Sequence, residues 1–251
     1  MLRRLLGMLS LLLVSPAWAA DGHPPVAEIV IASEVWAGHT NADGSGLGWD
    51  ILRKVYEPVG VRLKIRSVPY TRSVGLVQRQ EADAWMGAYR DEIAGAVYPR
   101  WHYDADQISA LGRAGAPVPS LQTLGDYRLV WIRGYDYQHQ LPNLKHFEEI
   151  QRRGGILSML DLDHADYYID ARTEIDDVLA QTAHPERYQV TFLTPLPLYV
   201  GFAANERGRE FAALFDERMT RLVQSGELRP LYARWKQPYP FDPPEKPHAS
   251  P

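Results

Sequence analysis

The chain has 251 residues, 27 of them basic and 31 acidic, for a formal net charge of −4. That mild acidity offers no basic footprint for nucleic acid, and the lack of any cysteine excludes disulfide staples, thiolate metal sites and cysteine nucleophiles. A chain of this length buries a substantial core without covalent help, as one large domain or two small ones.

The first twenty residues have the layout of a secretory signal peptide. Arg3 and Arg4 give a basic start, residues 5–14 are an apolar run, and Ala17, Trp18 and Ala19 offer a small-residue cleavage site. Ten apolar residues are too few for a membrane span, which takes about 20. Cleavage would leave 25 basic against 31 acidic side chains, a formal charge of −6. The expected location is the periplasm.

After a short linker, residues 28–33 form a compact apolar run, a buried strand. A loop rich in Gly, Asn and Asp follows, from 38 to 48. Apolar residues at 51, 52, 55, 56 and 59 are spaced for a helix over 49–59, which Pro58 and Gly60 end. Residues 61–68 alternate strictly, as a half-buried strand does. A second helix over 70–80 and a strand over 82–89 complete a β-α-β-α-β order, which implies a parallel sheet with right-handed crossovers. A second unit of the same kind follows. It has strands at 107–111, 127–132, 165–171 and 189–193, with helices opening at Gly134 and covering 154–160 and 173–182. Pro195 and Pro197 break the last of these strands, and strand character resumes at 198–203. Amphipathic helices over 208–224 and 227–235 close the fold. The tail, 237–251, is rich in proline and reads as disordered. Extended crossings near 108–115 and 192–200 bracket the second unit. They give the divisions 1–20 signal, 26–110 plus 198–236 first lobe, 111–197 inserted second lobe.

Five segments then carry a resemblance. GWDILRKVYEPVGVRLK at 48–64, PYTR at 69–72 with EADA at 81–84, and LYVGFA at 198–203 with LYARW at 231–235 are similar, in order and spacing, to the amino-acid type (family 3) extracellular solute-binding proteins of ABC transporters. The resemblance covers about residues 26 to 236. It implies an α/β protein of the type II periplasmic-binding-protein fold, two α/β lobes joined by two crossing strands, that closes on a small polar solute such as an amino acid or related amine or acid. The implied partners are a small-molecule ligand and an ABC permease or membrane receptor, with a monomer as the default state and no cofactor.

The departures bear on the ligand. Amino-acid binders of this family carry an Arg that clamps the α-carboxylate. The matching stretch here, GAYRDEI at 87–93, puts Glu92 at the motif's Glu and Ile93 at its Arg, with Arg90 three residues earlier. The second-lobe element appears as Arg133-Gly134-Tyr135, followed by Asp136. Asp166 and Asp170 keep the acids of the element whose last Asp holds an ammonium. Arg133 and the backbone at Gly134, at a helix start, suit an anion, although the same pair also serves as a plain strand–helix turn. Asp170 suits a ligand ammonium or a helix cap. Trp36, Tyr70 and Tyr89 stand at the ends of strands or next to them, where they line a crevice or simply pack in the core. Arg72 and Arg90 add positive charge to the cleft or to the solvated surface. The candidate ligand-binding residues are therefore Trp36, Tyr70, Arg72, Tyr89, Arg90, Arg133, Tyr135, Asp136 and Asp170.

Catalysis is not expected, and neither is a metal. The eight histidines show no H-E-x-x-H pairing, and there is no G-x-S-x-G elbow or phosphate-cradling glycine loop. The same fold hosts periplasmic dehydratases, so an enzyme stays as an alternative. A stand-alone ligand sensor docking on a membrane receptor is the other.

Overall fold

The computed structural model describes residues 27–242; the signal segment and the tail beyond 242 lie outside them. In chain order the strands are β1 (Ala27–Ser33), β2 (Val61–Ser67), β3 (Ala84–Ala88), β4 (Asp104–Arg113), β5 (Leu129–Ile132), β6 (Phe147–Ile150), β7 (Tyr167–Ala171) and β8 (Tyr188–Phe202). The helices are α1 (Leu47–Tyr56), α2 (Tyr70–Gln78), α3 (Tyr137–Gln140), α4 (Ile156–Asp161), α5 (Arg172–Leu179), α6 (Glu206–Ser225) and α7 (Arg229–Trp235). The strands hydrogen-bond in the order β2-β1-β3-β8-β4-β7-β5-β6.

That order contains two α/β lobes. β1 lies parallel to β2 and β3, and the last residues of β8 pair with β3. β5 lies parallel to β6 and β7, and β7 pairs with the far half of β4. The long strands β4 and β8 run antiparallel from Asp104–Leu198 to Arg113–Tyr188 and serve both lobes. They are the two crossing strands; β4 begins before the expected 108–115 and ends two residues short of it, and β8 extends past 192–200 at both ends.

The prolines of β8 correct the expectation of a broken strand. Tyr103 donates its N–H to the Leu198 carbonyl at 2.9 Å, so Leu198 and, two residues back, Leu196 face β4. Pro195 and Pro197 face the other way, where β3 pairs only with residues 199–202. Their missing N–H groups cost no ladder bond, and the strand runs on. β6, absent from the sequence reading, pairs on one side only, as an edge strand.

Helix packing follows the sequence pattern. α1 buries Leu47, Ile51, Leu52, Val55 and Tyr56. α6 buries Phe211, Phe215, Met219 and Leu222, with Asn205 capping its first turn through the Gly208 N–H at 2.7 Å and Gly226 closing it at φ 74°. These side chains share one apolar cluster with Ile29, Ile31, Val200 and Phe202, and the cluster extends along β4 to Trp131 and Ile169. Separate clusters lie under α2 and under α4 and α5. Gly201 is fixed by packing, since a Cβ there would lie 2.2 Å from the Trp85 ring. The chain past the expected boundary at 236 is packed as far as it is described, with Tyr239 against Tyr232 at 5.3 Å and Asp242 paired with Arg229. No helix among the described residues is long and apolar enough to cross a membrane.

Candidate functional site

Parallel strands of an α/β sheet leave their carboxyl ends and the following loops free to face a ligand. Here four such ends, two per lobe, meet over the crossing strands. β1 delivers Glu34 and Trp36, β3 delivers Tyr89 and Glu92, β5 delivers Gly134, Tyr135 and Tyr137, and β7 delivers Asp170 and, in the first turn of α5, Glu174. Asp106 of β4 and Leu198 of β8 form the floor, and Tyr70, at the start of α2, closes one side. Together they line a narrow cleft between the lobes.

The lobes touch across it through rings. Tyr70 meets Tyr135 edge to face at 6.5 Å, and Tyr89 lies 6.0 Å from Tyr137. Gly134 takes a left-handed φ of 89° and faces Thr71 of the first lobe, which a Cβ there would meet in ordinary contact at 3.5 Å. Trp36 has one face stacked on His39 at 3.8 Å, and the His39 Nδ1 lies 3.0 Å from buried Asp104.

Carboxylates dominate the polar lining. Glu92 accepts from the Tyr70 hydroxyl at 2.6 Å and from the Tyr89 N–H at 3.0 Å. Asp106 accepts from the Tyr89 hydroxyl at 2.7 Å. Neither forms an ion pair among the described residues. Burial outweighs these hydrogen bonds and raises Glu92 to about 7, with Asp136 adding repulsion. Burial likewise raises Asp106 to about 8, with Asp104, Asp170 and Glu174 adding to it. Glu34 is raised by burial, against the pull of Arg153. On the second lobe Arg153 ties Asp170 at 3.1 Å and Glu174 at 2.9 Å, and donates to the Tyr135 hydroxyl at 2.6 Å. Asp170 also accepts from the Tyr168 hydroxyl and, at 2.8 Å, from the Ala171 N–H. Burial still raises Asp170, and it raises Glu174 to about 7.

Of the nine residues expected from the sequence, Trp36, Tyr70, Tyr89, Tyr135 and Asp170 come together in the cleft, and Arg72, Arg90, Arg133 and Asp136 are not among its lining residues. Arg72 and Arg133 are exposed. Arg90 turns to the Pro99 carbonyl at 2.7 Å and covers the Tyr199 ring at 4.2 Å. Asp136 sits in a left-handed turn and accepts from Gln138. The anion-binding arrangement read from Arg133 and Gly134 does not form: the Gly134 N–H points to Glu149 at 3.4 Å, and the next helix, α3, is a four-residue turn. Asp170 does not cap α5 either; it accepts from the N–H of the next residue, Ala171, which itself stands at the cap. Missed from sequence as binding residues were Glu34, Glu92, Asp106, Tyr137 and Glu174 of the lining and Arg153 behind it. Their shared signal, a position at or just past a strand's carboxyl end, was available for Glu34 and Glu174.

No protein-family model matches the chain, and a search of curated proteins finds no match either. Solved structures do match. The substrate-binding protein of an amino acid ABC transporter is 16% identical with a TM-score of 0.61, over 84% of this chain and 100% of that one. A histidine kinase sensor domain with similarity to periplasmic binding proteins is 14% identical with a TM-score of 0.65, over 83% and 95%. An ABC uptake transporter substrate-binding protein from Streptococcus pneumoniae with bound histidine is 14% identical with a TM-score of 0.61, over 83% and 92%. At such identities the likeness is one of architecture, and it establishes that this chain has the type II periplasmic-binding-protein fold.

Proposed function

We propose that the protein is an exported solute-binding protein that closes its two lobes on a small polar solute and presents it to an ABC importer in the periplasm. The observation that carries this reading is the cleft itself: strand ends from both lobes converge on one cavity spanned by two long strands. Two-strand connections of this kind allow hinge closure around a guest. The lobes are then 26–110 with 198–236, and 111–197, after removal of residues 1–20, and the protein works as a monomer. The cleft holds its solute without transforming it. Incubation with prephenate or arogenate is expected to give no turnover.

Thermal-shift screening against amino acids, amines, organic acids and sugars tests the reading. A ligand bound only by the folded state raises the melting temperature, by an increment that grows with its concentration. Silence across the panel would overturn it. The likeness to a histidine kinase sensor domain favours a second reading, a periplasmic sensor that docks on a membrane receptor. Ligand-dependent capture of a receptor, with no permease bound, would select that reading over transport.

A further inference from the structure

We propose that the solute is an organic cation, an amine without a carboxylate, held between the tyrosine rings and the carboxylates of Glu34, Glu92 and Asp106. This deepens the solute-binding reading and rests on it. Five carboxylates line the cleft, those of Glu34, Glu92, Asp106, Asp170 and Glu174. Arg153, whose guanidinium engages Asp170 and Glu174, offsets one charge on the second-lobe side. Glu92 and Asp106 take their hydrogen bonds from tyrosine hydroxyls and one backbone amide, so nothing balances their charge once they ionise. A buried carboxylate without a counter-ion is costly, and a guest ammonium or guanidinium removes that cost.

Two independent features point the same way. Trp36, Tyr70, Tyr89, Tyr135 and Tyr137 surround the same space, and indole and phenol faces attract cations, most strongly where water is excluded. Among the described residues no three His, Asp or Glu side chains converge closely enough to hold a metal ion. The negative charge is spread along the cleft, which suits an extended organic cation better than a point charge.

A ligand carboxylate finds no host. Arg72 and Arg133 are exposed, Arg90 is turned to Pro99 and Tyr199, and Arg153 is engaged by two acids. The backbone amides at Gly134 and Ala171 are taken by Glu149 and Asp170. An α-amino acid would therefore bring its carboxylate, without a cationic partner, among these acids, whereas the amine left by its decarboxylation would not.

The test uses pairs that differ by that one group: lysine and cadaverine, arginine and agmatine, histidine and histamine. Each is titrated into the mature protein by calorimetry at pH 8 and checked by thermal shift. The expected result is that at least one amine binds and that its amino acid binds at least ten-fold more weakly. Glu92→Gln and Asp106→Asn should each weaken the amine ten-fold or more while folding normally by circular dichroism. Glu217→Gln, on an exposed position of α6, should leave affinity unchanged, which separates a local contact from net charge. An amino acid binding as well as or better than its amine would overturn the cation assignment and leave solute binding standing. Absence of binding by all six, together with silence in the broad panel, would overturn both. Binding of a sugar or an organic acid in that panel, with all six silent, would overturn the cation assignment alone.

Discussion

Asp170 is 1% exposed and Arg153 is 28% exposed, and the pair is held at 3.1 Å with Tyr168 and Glu174 around it. Removing one partner of such a pair strands a charge in low dielectric, and that costs more than the pair contributes. Arg153→Ala is accordingly expected to lower unfolding free energy by about 3 kcal/mol, read from urea denaturation. The double variant Arg153→Met with Asp170→Asn should recover a large part of that loss, because it removes both charges. Equal losses for the two variants would show that the ion pair is not what the site relies on. The same residues explain what sequence could and could not reveal. Trp36, Tyr70 and Tyr89 stood out because rings at strand ends have few places to go. Of the carboxylates only Asp170 did; Glu34, Asp106 and Glu174 did not, since an acid in a sequence looks solvated until a second lobe buries it. Arginine misled for the converse reason. Arg72, Arg90 and Arg133 occupy turns and helix starts where a clamp would sit, and only the fold shows them turned outward or engaged elsewhere.

Among the elements, the helices and most strands followed their periodicity closely. β6 escaped because its four residues, FEEI, pair on one side only and carry two acids. β8 was read as two strands because proline usually ends one. The sequence pattern does not reveal that Pro195 and Pro197 face away from β4, and this decides the matter. One consequence can be measured. Pro195→Ala and Pro197→Ala each restore an N–H that has no ladder partner and loosen the unfolded chain, so each should cost about 0.4–1 kcal/mol of stability. A gain in stability from either variant would mean that the new N–H found a partner and that the strand faces the other way.

At the scale of the whole molecule, the cleft links pH to stability. Glu92, Asp106 and Glu174, raised to about 7, 8 and 7, keep protons in the folded state that the unfolded chain releases near pH 4. Their contribution is present at low pH and is lost as pH rises through 7 to 8. His102, lowered by burial, acts in the opposite sense but is a single group. Acids lowered by exposed partners, such as Asp166 beside Arg128, matter only below about pH 4. The empty protein should therefore melt progressively lower between pH 5 and 8.5. A cation binds the ionised form, so its stabilising increment should widen over the same interval, and an increment independent of pH would contradict the linkage.

The most direct test of a guest held between the lobes is a crystal structure grown with whichever amine gives the largest thermal shift. The account predicts ligand nitrogen atoms within hydrogen-bonding distance of the Glu92 and Asp106 carboxylates, with residues of both lobes around the carbon chain. Density for the amine on the outer surface, with the space among Glu34, Tyr89 and Tyr137 holding only water, would contradict it.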